Sequence, residues 1–169
     1  MTNRFRWPVE AGTVLAAPSK AVWALLSTPE HLTLFHPFVA HNPIESWAGR
    51  NSRDAVIYYS GLVLERTVTH WENEKIDLQV GRPGGQLSGV KWRLQPRGND
   101  ETELTITIEP NIIQTVPWPL RMLPFYIFII PSIRSYLNFV LQGLDFYLKT
   151  GEKVKPDQFG RHPVFSSQK

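Results

Sequence analysis

Ser132-Ile-Arg-Ser-Tyr-Leu-Asn-Phe-Val-Leu-Gln-Gly-Leu-Asp-Phe-Tyr-Leu-Lys149 is the stretch that organises the rest of the chain. Ile133, Leu137, Val140, Leu141, Leu144 and Leu148 recur at steps of three and four residues. Ser135, Asn138, Gln142, Asp145 and Lys149 fill the opposite face, so the spacing predicts one amphipathic helix over 132–149. Phe139, Gly143 and Phe146 form a second apolar row beside the first. A helix with so narrow a wetted face needs contact on two sides: a sheet on one, and a cavity or the 110–131 segment on the other.

Upstream, the period changes from 3.6 to two. Ile76, Leu78 and Val80 oppose Asp77 and Gln79; Val90, Trp92 and Leu94 oppose Lys91, Arg93 and Gln95; Leu104, Ile106 and Ile108 oppose Thr105 and Thr107. With Val56–Ser60 and Leu62–Trp71, and turns at Asn73-Glu74, Gly81–Gly85 and Gly98-Asn99-Asp100, this is an antiparallel meander with one apolar face. A further strand over Ile44–Trp47 is weaker. Phe5, Trp7 and Val9 alternate against Arg4, Arg6 and Glu10 in a first strand over 4–15. Two short helices follow. Ser19 is placed to cap Ala21–Leu26, and Thr28-Pro29-Glu30 opens a second that runs to Phe35 and stops at His36-Pro37. From Gly151 onward no periodicity remains, which predicts an irregular, loosely held extension over 151–169 behind a single domain of 1–150.

Composition excludes several functions. With 18 Lys and Arg against 15 Asp and Glu, scattered and without a basic run, nucleic acid is not an expected partner. The chain has no cysteine, so disulfides, thiol catalysis and Cys-ligated zinc are out, and a reducing, cytoplasmic setting is the expectation. No apolar leader stands at the N-terminus. The uncharged run Met122–Ile133 is too short to span a bilayer, for which about 20 apolar residues are needed.

The residues Ala17-Pro18-Ser19-Lys20-Ala21-Val22-Trp23-Ala24-Leu25-Leu26-Ser27-Thr28-Pro29-Glu30-His31-Leu32, then Phe35-His36-Pro37, resemble the opening of the START-like or pollen-allergen-like superfamily, also called SRPBCC. Leu64-Glu65-Arg66-Thr67-Val68 and Trp92-Arg93-Leu94-Gln95-Pro96 before a Gly-Asn-Asp turn resemble its third quarter. The resemblance covers residues 4–150. It implies an α+β helix-grip fold: a curved antiparallel sheet wrapped around a long C-terminal helix, with two short helices after the first strand. It leaves function open among lipid-transfer proteins, polyketide cyclases, hormone receptors and co-chaperones. The chain departs from the pattern at 110–131, a proline-rich apolar stretch longer than the family's usual link to its last helix.

Arg66 is the residue of greatest interest. Leu62, Leu64, Arg66, Val68 and His70 share parity, with Val63, Glu65, Thr67, Thr69 and Trp71 opposite. If the leucine face is inward, Arg66 is a buried cation that requires a carboxylate, a phosphate or a ligand head group; if Val63 and Trp71 face inward, it is solvated. His70 inherits the same alternative. His31, His36 and His41 recur every five residues, which does not put them on one helical face, so no metal site is expected. Gly81-Arg82-Pro83-Gly84-Gly85 lacks a phosphate-loop ending and is a turn, and no cofactor motif appears. Tyr58, Tyr59, His36, Phe38, Trp92, Tyr136, Leu137 and Phe139 complete the candidate lining of an apolar pocket, for which packing into a solid core is the alternative. The segment 110–131 is either a buried connector or a lid that contacts a membrane, with Trp118, Arg121 and Tyr126 at head-group level and Phe125 and Phe128 inserted.

The function expected is binding or transport of a hydrophobic small molecule, lipid-like or polycyclic, without a cofactor. A cyclase or dehydratase of the polyketide type, and a membrane- or partner-docking module, are the alternatives.

Overall fold

The period-two segments form one eight-stranded antiparallel sheet. In chain order the elements are β1 (Val9–Leu15), α1 (Ser19–Leu26), α2 (Leu32–Phe35), β2 (Val39–His41), β3 (Ile44–Ser46), β4 (Arg53–Tyr58), β5 (Val63–Glu72), β6 (Lys75–Gly81), β7 (Leu87–Pro96), β8 (Thr102–Glu109), a π-helical turn (Phe125–Ile129) and α3 (Ile130–Thr150). The computed structural model describes residues 7–111 and 125–168, with 125 and 126 described through backbone alone. Of the 110–131 segment, Trp118 and Arg121 therefore lie outside the described residues. The strand order is β1-β8-β7-β6-β5-β4-β2, with β3 paired to β4.

The sheet buries one face against α3, as an α+β helix-grip arrangement requires. Ile76, Leu78, Trp92, Leu94, Leu104 and Ile106 point inward and are buried, and Leu137, Val140, Leu141 and Leu144 of α3 join them in one cluster. Gly143 lies where α3 crosses the end of α2; a Cβ there would stand 2.0 Å from the Phe35 carbonyl oxygen, so only glycine permits this approach. Gly151 ends α3 in the left-handed conformation (φ 69°), its N–H donating to the Tyr147 carbonyl at 2.8 Å.

Four expectations change. Glu30 takes a left-handed conformation (φ 57°), which breaks the turn opened at Thr28, so α2 begins only at Leu32. Ser19 is already helical, and Pro18 holds the cap position.

The third change matters most to the site. Val68 pairs with Leu78, but His70 pairs with Asp77, so Thr69 is an extra, bulged residue on β5. A one-residue insertion reverses parity beyond it. His70 therefore leaves the inward face and sits half in water beside Glu72 (3.3 Å). Trp71 takes the inward place and packs on Trp23 (5.2 Å between ring centroids) and Trp47 (5.7 Å).

Fourth, the residues after Gly151 are not loose. Val154 N–H donates to Leu34 O at 2.9 Å, Asp157 N–H to Pro37 O at 3.1 Å, and Ser60 N–H to Phe165 O at 3.2 Å. Phe146 packs on Phe159, and Gly160 lies against the Phe139 ring. The second apolar row of α3 is thus covered by α2 and this extension.

Candidate functional site

Two polar clusters lie within the apolar interior, both near Arg66. Asp54 is the direct cross-strand partner of Arg66 in the β4–β5 ladder. The carboxylate chelates the guanidinium: Nε donates to Oδ1 at 2.8 Å and Nη2 to Oδ2. Arg66 is 7% exposed and the Asp54 side chain is closed to solvent. Asn42 Nδ2 donates to Asp54 Oδ2 (2.9 Å) and to Ala55 O (2.8 Å), while its Oδ1 is buried without a donor. The Arg66 guanidinium stacks over Trp47, 5.1 Å from the ring centroid. The leucine face of β5 is therefore inward at Arg66, and its charge is neutralised by the chain's own carboxylate.

The second cluster joins α2, β4 and α3. The Phe38 N–H donates to His36 Nδ1 at 3.2 Å, which puts the imidazole proton on Nε2. Nε2 then donates to the Tyr136 hydroxyl at 2.9 Å, and Tyr136 and Tyr58 share a hydrogen bond at 3.2 Å. Burial, and then the Arg66 cation, holds the His36 pKa down to about 3, and the same two causes lead at His31, also about 3. Burial likewise raises both tyrosine hydroxyls, Tyr136 well above the ordinary phenol value. Both imidazoles are neutral at physiological pH.

Aromatic rings enclose these phenols. Phe165 of the C-terminal extension stacks at 4.6 Å from Tyr58 and 4.5 Å from Tyr136, with Phe38 facing Tyr136 at 6.1 Å. His162 holds that extension down: its Nδ1 accepts from Val164 N–H (3.2 Å) and its Nε2 donates to Ser132 O (3.1 Å).

Burial is graded along the sheet. At one end Leu15, Leu94 and Leu104 are sealed. At the other, Leu64, Val80, Val90 and Ile108 are only partly buried, as are Ile133 and Tyr136 near the start of α3, while Val56 and Val9, the cross-strand partners of Leu64 and Ile108, are buried. Ile127 and Phe128, just before α3, are 52% and 69% exposed. A separate open groove of about 670 Å³ lies on the surface, between the β4–β5 turn at Ser60–Val63, Arg82 and Pro83, and Pro163, Val164 and Gln168 of the extension.

Among the sequence candidates, Tyr58, His36, Phe38, Tyr136 and Phe139 come together between β4, α2 and α3, with Arg66 on β5 near enough for its charge to act on His36 and both phenols. Trp92 and Leu137 are buried in the shared core at 7% and 1% exposure. Tyr59 takes no recorded part in that cluster; burial, and then the charge of Asp157 in the extension, raise its pKa. His70 is outside. No cluster of three or more potential metal ligands occurs among the described residues.

Sequence reasoning missed Asp54, Asn42, Trp47, His162 and Phe165. Only Asp54 carried a usable signal: counting outward from the Ser60-Gly61 turn, the register Ile57–Val63 leads directly to Asp54 opposite Arg66.

No protein-family profile matches the chain, and no curated protein matches it. Solved structures do. The START superfamily protein from Mycobacterium smegmatis superposes with a TM-score of 0.67 at 16% identity, over 84% of this chain and 97% of that one. The fold is START-like. DynU16, a protein of the dynemicin biosynthetic locus, matches this chain with a TM-score of 0.65 at 17% identity. The di-domain ARO/CYC BexL from the BE-7585A biosynthetic pathway matches with 0.66 at 11%. These two matches cover 86% and 84% of this chain, which spans about half the length of each of those proteins, 48% and 47%.

Proposed function

We propose that this START-like chain binds or carries a hydrophobic small molecule, lipid-like or polycyclic, in the gap between the sheet and α3. The graded burial carries this reading. Inward apolar side chains that keep part of their surface accessible at the amino end of α3 are what an entrance between sheet and helix produces. Affinity comes mainly from apolar area, at about 25 cal/mol per Å² removed from water. Tyr58, Tyr136 and His36 orient the molecule, while Arg66, already neutralised by Asp54, supports the wall. Native mass spectrometry of protein purified from cells tests the idea. Co-purified lipid or polycyclic mass, exchangeable against a lipid panel, is the expected result. A protein that arrives empty and ignores the panel counts against it.

A polyketide cyclase or dehydratase is the second reading, favoured by the likeness to BexL and by the hydrogen-bonded series His36–Tyr136–Tyr58. A general base works best with a pKa near the working pH, and His36 at about 3 is a poor one at neutrality. Binding therefore ranks above catalysis. Turnover of a poly-β-keto substrate that disappears in His36→Gln would reverse that ranking.

A membrane-contact role rests on Ile127 and Phe128, exposed within the described end of the apolar 110–131 segment. Residues Ile127–Thr150 are long and apolar enough to cross a membrane, a test that core helices also pass, and Leu137, Val140, Leu141 and Leu144 are buried against the protein itself. Surface contact is thus the form this reading takes. Flotation with vesicles, lost in Phe128→Asp, is the result it requires.

A further inference from the structure

The hydrogens around Tyr58 and Tyr136 can be counted. His36 Nε2 brings one hydrogen to the Tyr136 oxygen, because Nδ1 is occupied by the Phe38 N–H. The two phenols bring two more. Their mutual bond at 3.2 Å consumes one, whichever hydroxyl donates. The last hydrogen, on whichever phenol keeps it, has no partner among the described residues; Tyr58 is only 6% exposed, Tyr136 is half-buried, and rings surround both. A buried donor without an acceptor is unfavourable, and native structures rarely leave one.

We infer that the molecule bound here carries a neutral hydrogen-bond-accepting oxygen, a carbonyl of the ketone, quinone or ester kind, which takes the phenolic hydrogen that Tyr58 and Tyr136 leave unused. The inference rests on the carrier reading above and names the ligand class for it. The charges around the phenols favour a neutral group. Arg66 is chelated by Asp54, and His36 is uncharged, so no free counter-charge awaits a carboxylate. Arg66 bonds Asp54 through Nε and Nη2, and its Nη1 is not among the buried atoms left without a partner. The buried acceptor left over, Asn42 Oδ1, belongs to an amide anchored on Asp54 and Ala55, not on the phenols.

Fluorene and 9-fluorenone share one tricyclic skeleton and differ by a CH₂ in place of C=O, so calorimetric titration with both isolates the oxygen. Wild type is expected to hold fluorenone about 3- to 10-fold more tightly, the range of one net hydrogen bond. Tyr58→Phe and Tyr136→Phe singly should each keep the preference, since the remaining phenol still has an unshared hydrogen. Without Tyr136 the His36 Nε2–H loses its acceptor and could itself donate to the ketone, so the variant that must lose the preference is the triple Tyr58→Phe, Tyr136→Phe, His36→Leu. The ketone C=O stretch should shift to lower frequency in the wild-type complex and return to its unbonded value in the triple variant. Equal affinity of wild type for the two probes removes this inference and leaves the carrier reading standing. A preference that survives in the triple variant also removes it. Failure of wild type to bind either probe overturns both. Should the triple variant not fold, the wild-type spectrum decides alone, and an unshifted ketone stretch defeats the inference.

Discussion

Asp54 and Arg66 face each other across the β4–β5 ladder and close a bidentate ion pair on the sheet's inward side. In so dry a place, breaking the pair does more harm than forming it does good. Asp54→Ala leaves a buried guanidinium without its counter-charge and should cost about 3–5 kcal/mol in urea denaturation. The joint replacement Asp54→Leu with Arg66→Met removes both charges and should come within about 1.5 kcal/mol of wild type. A nearly neutral Asp54→Ala would mean that Arg66 reaches solvent.

Acid should weaken the fold through two histidines. His31 and His36 have folded-state pKa values of about 3, lowered first by burial and then by Arg66. The unfolded chain takes up these protons below about 6.5, and the folded chain not until about 3. Their contribution is therefore complete above pH 6.5 and is lost as the pH falls from there towards 3. Mid-window the loss is roughly 1.4 kcal/mol per pH unit for each imidazole. Chemical denaturation at a series of pH values should show this slope in wild type and about half of it in His36→Gln.

Gly143→Ala sets two effects of opposite sign against each other. Helix propensity alone favours alanine by about 1 kcal/mol. The new Cβ would stand 2.0 Å from Phe35 O, and that neighbour is backbone, which cannot swing aside. Net destabilisation of about 2–4 kcal/mol is expected. A stabilised variant would show that α3 and α2 are further apart than described.

The bulge at Thr69 separates two neighbours. Trp71→Ala removes an indole packed between Trp23 and Trp47 and should cost about 3 kcal/mol. His70→Ala touches a half-exposed side chain beside Glu72 and should stay within about 0.5 kcal/mol. The reverse ranking of the two melting temperatures would place the parity change elsewhere.

The elements that repeat were readable in advance. The alternation in Ile76–Val80, Val90–Leu94 and Leu104–Ile108 and the 3.6-residue stripe of α3 report burial on one face, and burial is what the sheet and helix deliver. The leucines beside Arg66 left two faces open to it, and only the pairing with Asp54 decides for the inward one. His70 does not share that face, because one bulged threonine reverses the count, and Thr69 looks like any other strand residue. Asp54 was within reach of hairpin counting but lies two residues before Val56, where the apolar run begins. The docking of 151–168 was out of reach. Its anchors, Val154, His162 and Phe165, stand at irregular spacing, and no period announces them.

The absence of a methyl at position 143 also sets how the interior can breathe. With the Phe35 carbonyl lodged against bare backbone, the carboxyl half of α3 has no slack to slide or lift. Widening has to happen at the far end, past Tyr136, where the helix begins in a π-helical turn and the rings are only partly enclosed. The arrangement is a door with its jamb at Gly143, so on the proposed carrier reading guests of growing size should be felt as a swing of residues 127–136 and hardly at all beyond Leu144.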